Sequence, residues 1–83
     1  MIEPDGPVPP YRQLAEILAE RIQRAEWQPN RPIPSELQLV QEFGVARGTV
    51  RRAVAVLREQ GLVFTVAHRG TYVATPSPDP DQG

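Results

Sequence analysis

The chain has 83 residues, 40% of them hydrophobic and 23% charged, with ten prolines, no cysteine, one histidine and a formal net charge of −1. That length holds one small domain, for which helices are the economical construction, and the lack of cysteine excludes a disulfide framework and thiolate metal sites, so with a lone His68 no metal or other cofactor is expected. No apolar run approaches the ~18 residues of a membrane span and the N-terminus lacks the basic-then-apolar pattern of a signal peptide, which reads as a soluble, cytoplasmic protein with no membrane partner.

Residues 1–9 carry Pro4, Gly6, Pro7 and Pro9, a composition that resists regular pairing and predicts an extended, flexible N-terminal arm. From Tyr11 the apolar residues Tyr11, Leu14, Leu18, Ile22 and Ala25 recur at steps of three and four, with Ile17 beside them. This is the spacing of an amphipathic helix with one face to bury. Glu20 and Arg24 are four apart in the favourable order, worth a few tenths of a kcal/mol. The segment Trp27–Pro34 holds three prolines and cannot continue the helix; Trp27 and Ile33 are expected to cap the core.

Ser35 begins a second helix, with Gln38 at the position that completes a capping box. Leu37, Val40 and Phe43 are expected as its buried face, and Gly44 as its left-handed stop. A third helix over about 47–60 has Val50, Val54 and Leu57 to bury and ends at Gly61. The β-branched and aromatic run Leu62–Val66 predicts a strand, residues 67–70 a turn, and Thr71–Ala74 a second strand in which Tyr72 packs on the sheet. Residues 10–75 thus read as a mostly α domain with a small β-hairpin, a winged helix-turn-helix of three helices plus a two-stranded wing. The Pro/Asp-rich stretch 76–83 reads as a disordered tail.

Charge is distributed unevenly. Residues 43–72 hold Arg47, Arg51, Arg52, Arg58 and Arg69 against Glu59 alone, a local sum of +4. Screening confines a field to roughly 8–10 Å, so a polyanion responds to this local sum rather than to the total. Arg47 and Arg51, four apart at the start of the third helix, are expected on one face. Arg58, at the far end, reads as a surface residue or a partner of Glu59. A nucleophile–base pair, a carboxylate pair and a metal cluster are all missing from the pattern, so an enzyme is not expected.

Four motifs in order, Pro34-Ser-Glu36, Gly44-Val-Ala-Arg-Gly-Thr-Val-Arg-Arg-Ala53, Glu59-Gln-Gly-Leu62 and Arg69-Gly-Thr-Tyr-Val73, resemble the N-terminal DNA-binding domain of the GntR family of bacterial transcription regulators. Pro10-Tyr-Arg-Gln-Leu14 is similar to its opening in the subgroup of sugar- and histidine-operon repressors. The resemblance implies a sequence-specific regulator of double-stranded DNA, a repressor, with the third helix in the major groove. Arg47 and Arg51 would read bases, each with a two-pronged contact to guanine. Ser35, Gly48, Thr49, Arg52 and Thr71 would meet the phosphate backbone, and the wing tip His68, Arg69 and Gly70 the minor groove. An inverted-repeat operator is expected, bound by a homodimer or by a pair formed only on DNA.

The departures are specific. Ala46 stands where the family commonly has a capping serine or threonine, Leu37 where many members carry a base-reading arginine, and His68 where the wing usually has glycine. The effector domain usual to the family is missing, so no small-molecule effector site is expected, and the chain is either a fragment or a small regulator. The competing reading is a winged helix that uses the same arginines to bind an acidic protein partner.

Overall fold

The computed structural model describes residues 2–75; the tail expected at 76–83 lies outside the described residues. In chain order the elements are α1 (Pro10–Gln23), α2 (Glu36–Phe43), α3 (Arg47–Glu59), β1 (Val63–Val66) and β2 (Gly70–Val73). These are the three helices and antiparallel hairpin of a winged helix-turn-helix. Helix α1 starts on Pro10, where a missing amide hydrogen is no loss. It buries Leu14, Ala15 and Leu18 against Val50, Ala53 and Leu57 of α3. Both stripes follow the three-and-four spacing. The two alanines, 4% and 0% exposed, let the helix axes approach closely. Ile33, Leu39, Val63 and Val73 complete the core, so every element contributes to it. Trp27 packs half-buried on this cluster and Ile33 is buried within it.

Several apolar positions differ from the expectation, Val40 and Phe43 of α2 being half-buried rather than buried. On α2 the buried residue is Leu39, and Leu37 is 52% exposed. Two positions apart on a helix is about 200° of rotation, so only one of the pair can face inward. On α3, Ala53 takes the core position and Val54 is half-buried at its flank. Ala25 lies beyond the end of α1 and is exposed, with φ 59°. It is the left-handed residue that closes the helix: Ala25 N–H donates to Ile22 O and Glu26 N–H to Arg21 O, both at 2.9 Å. This paired pattern is the Schellman motif. Helix α3 ends in the same way, with Gly61 at φ 77° donating to Arg58 O and Leu62 to Leu57 O.

Helix α2 is bracketed as its sequence demands. Ser35 Oγ accepts from Gln38 N–H at 3.1 Å and Gln38 Oε1 accepts from Ser35 N–H at 2.8 Å, a complete capping box. Gly44, φ 65°, closes the other end. Arg21 of α1 ties α2 down: its Nη2 is 2.8 Å from Glu42, and its guanidinium lies over the Phe43 ring at 5.2 Å.

In the hairpin Val63 faces Val73, Phe64 faces Tyr72, Thr65 faces Thr71 and Val66 faces Gly70. The pleat sends Val63 and Val73 into the core and stacks Phe64 on Tyr72 at 5.8 Å on the opposite face. The segment before α2 runs along the other edge of β2. Asn30 N–H donates to Val73 O, Val73 N–H to Arg31 O and Ile33 N–H to Thr71 O, at 2.8–2.9 Å. At the tip, Arg69 N–H donates to Val66 O and His68 has φ 64°. His68 thus occupies a turn position that glycine fills without steric cost.

From Ile2 onward the N-terminal arm, expected to be extended, turns back on α1. Gln13 Oε1 accepts from Glu3 N–H, and its Nε2 donates to Glu3 O and Val8 O, all at 2.7 Å. Ile2 packs against the core cluster.

Candidate nucleic-acid interface

The helix-turn-helix and the wing border one open groove of about 630 Å³. Ser35 at the amino end of α2, Arg51 and Arg58 along α3, and Arg69, Gly70 and Thr71 of β2 and the turn before it all line it. Three arginines around one concavity make a local field that the net charge of −1 conceals.

Helix geometry sorts the residues of α3. At 100° per residue, Arg47 and Arg51 fall on the flank that meets α2, Arg52 and Thr49 fall towards α1, and Gly48 lies between them. A Cβ at Gly48 would meet nothing within 4 Å, so another molecule has room to approach that backbone. The side chains of Arg47 and Arg51 are 61% and 66% exposed. Both are nevertheless held: Arg47 Nε lies 3.5 Å from Glu36 Oε1, and Arg51 Nε lies 3.0 Å from Glu36 Oε2. One carboxylate thus bridges both base-reading candidates. At this exposure such pairs contribute about 0.2–1 kcal/mol each, so they matter more for where the guanidiniums point than for stability.

Arg52 stacks on the Tyr11 ring, its Cζ 4.1 Å from the centroid. Thr49, half-buried, lines a small pocket with Ile2, Pro4 and Phe43. The structure therefore gathers Ser35, Arg51, Arg69, Gly70 and Thr71 in the groove, joins Arg47 to them through Glu36, and sets Thr49 and Arg52 on the α1 side. His68 is exposed at the wing tip.

Among the described residues Arg58 pairs with neither Glu59 nor another acid. Its Nη1 donates to Thr65 Oγ1 at 2.8 Å, and Thr65 Oγ1 is 3.4 Å from Thr71 Oγ1. A short polar chain thus runs from the carboxyl half of α3 across the wing. Glu36, Tyr11 and Thr65 are participants that the linear pattern does not mark. Glu36 lies outside the arginine-rich window, and at a helix amino end a glutamate is accounted for by the helix dipole alone. Strand alternation places Thr65 and Thr71 on one face, but only the packing of α3 brings Arg58 to them.

Known proteins are similar in sequence and share this fold. The family described as bacterial regulatory proteins, gntR family, matches residues 10–73. The HTH-type transcriptional repressor NagR of Bacillus subtilis (strain 168) is 40% identical over 75 residues, 90% of this chain and 31% of the relative. The histidine utilization repressor of Klebsiella aerogenes is 39% identical over 71 residues, 86% of this chain and 30% of the relative. The chain thus spans about a third of the curated relatives it matches. Among solved structures, AraR(DBD) in complex with operator ORX1 superposes with a TM-score of 0.81 at 37% identity, over 89% of this chain and 95% of that one.

Proposed function

The chain belongs to the gntR family of bacterial regulatory proteins, and from that premise we propose that its winged helix-turn-helix reads a specific duplex operator and represses transcription there. Helix α3 enters the major groove by its amino end. Arg47 and Arg51 direct their forks at guanine O6 and N7. Ser35, Thr49, Arg52 and Thr71 hold the phosphates on either side, Gly48 admits the backbone, and Arg69, with His68 and Gly70, enters the adjacent minor groove. The observation that carries this reading is two exposed guanidiniums at the amino end of α3, of which Arg51 lines the same groove as Arg69 of the wing and Arg47 is joined to it through Glu36. The similarity to AraR(DBD), which is seen with its operator, supports it.

A domain this small reads few base pairs, so it acts as a pair on an inverted repeat, assembled beforehand or on the DNA. The test is binding to a selected inverted repeat and to a scrambled duplex across a salt series. The selected site should bind tighter, with a log–log salt slope of about −0.9 per phosphate neutralised. Arg47→Ala should cost ~1–3 kcal/mol and relax preference at one position, while Arg52→Ala should weaken all sequences alike. Equal affinity for the two duplexes refutes specific readout.

A further inference from the structure

We propose that Glu36 is a positioning residue that sets selectivity: it aims Arg47 and Arg51 at base edges and keeps them off the phosphate backbone. The inference rests on the functional reading above and deepens it. Both arginines approach the same carboxylate through Nε, at 3.5 and 3.0 Å, one to each oxygen. A guanidinium carries five N–H donors, so a carboxylate at Nε leaves the terminal amino groups able to form a fork with guanine. The two side chains are more than half exposed and, without a partner, would sample many rotamers. Ordering a long side chain on binding weakens affinity by roughly two- to twelvefold, and a side chain already held avoids much of that.

The same carboxylate also works against indiscriminate binding. Non-specific affinity for DNA comes from cations that replace condensed counterions at phosphates, and one contact changes the salt slope by about 0.9. A negative charge shared by two arginines lowers what they offer to a phosphate anywhere on the duplex. It also repels any phosphate that approaches them. At a matched guanine the arginines meet neutral acceptors, O6 and N7, and keep their carboxylate. Glu36 therefore favours base edges over backbone, and selectivity follows from that difference rather than from tighter binding overall.

A purely structural Glu36 would start α2 and interact with its dipole, and its loss would weaken binding to every duplex in proportion to the lost helix. The two roles separate in one experiment. Glu36→Gln keeps the shape and removes the charge; Glu36→Ala removes both. Each is compared with the wild type on the selected inverted repeat and on a scrambled duplex over a salt series, with a thermal melt to verify folding. Affinity for the scrambled duplex should rise several-fold, and its salt slope should steepen by about 0.9 for each variant. The ratio of selected to scrambled affinity should fall by roughly 5- to 150-fold, the cost of re-ordering two long side chains. An unchanged ratio, or an equal fall in both affinities with the slope intact, overturns the proposal. A wild-type chain that does not discriminate overturns the functional reading, and this inference with it.

Discussion

The amino end of α3 can be strengthened by a single hydroxyl. Ala46 occupies the cap position with the extended backbone that a capping residue needs, φ −69° and ψ 155°, and is exposed. Its methyl group accepts nothing, so the first amide hydrogens of α3 lack the partner that Ser35 Oγ gives α2 at 3.1 Å. In Ala46→Ser the new Oγ would sit within reach of the Thr49 N–H, by the geometry already present at Ser35 and Gln38. Such a replacement is worth ~1 kcal/mol, which for a domain this size raises the melting temperature by about 4–8 °C and the urea midpoint by roughly 0.5–1 M. The assay is urea unfolding of the free protein followed by far-ultraviolet circular dichroism. Ala46→Val, which cannot accept a hydrogen bond, serves as the control and should gain nothing. A midpoint that stays put or falls for the serine variant, or that rises equally for valine, refutes the claim that an unmet cap limits α3. Because the same amides face the proposed DNA, the serine variant should also bind all duplexes somewhat more tightly.

Three further outcomes are expected. Leu39→Ala should cost ~2–5 kcal/mol in chemical denaturation because it opens a cavity in the core, whereas Leu37→Ala should stay within about 0.5 kcal/mol; similar losses would mean that the inward face of α2 is misassigned. The two Schellman ends should respond with opposite signs: Ala25→Gly should gain, and Gly61→Ala should lose, about 0.5–1 kcal/mol by thermal melting, the left-handed penalty less the backbone entropy of glycine. Gln13→Ala removes all three 2.7 Å bonds that hold residues 3 and 8, so limited proteolysis should cleave the arm faster while the melting temperature moves by only a few degrees.

The fold was legible because local signals agreed with one another. The capping box at Ser35, the stops at Gly44 and Gly61, and the change from helical to strand spacing after residue 61 each have one inexpensive structural solution. The inward face of α2 was harder. In Glu-Leu-Gln-Leu-Val-Gln-Glu-Phe two apolar phases compete over barely two turns, and only packing into the shared core, against α3 above all, selects Leu39. Ala25 fits the periodicity of α1 because periodicity carries no information about where the chain turns left-handed. In the proposed interface, arginine spacing placed Arg47 and Arg51 on one face of α3, as they are found, but a linear charge sum cannot see Glu36. Fifteen positions separate Glu36 from Arg51, and the turn at Gly44 folds that acid back among the basic residues.

The wing is often pictured as a free ribbon, but here β2 has a neighbour on each edge: β1 on one side and residues 30–33 on the other. Val73 and Ile33 are core residues as well as ladder residues. In sequence the stitch between them brackets α2 and α3, so the last strand cannot detach without exposing core side chains that pack with those helices. Melting of this strand and melting of the domain are therefore one cooperative event. The amide hydrogens of Ile33 and Val73 should exchange with solvent only through global unfolding, while those of the turn at 67–69 exchange through small local openings. The part of the groove wall at Thr71, whose carbonyl accepts from Ile33, should therefore move with the helices, and local motion should be confined to the turn that carries Arg69.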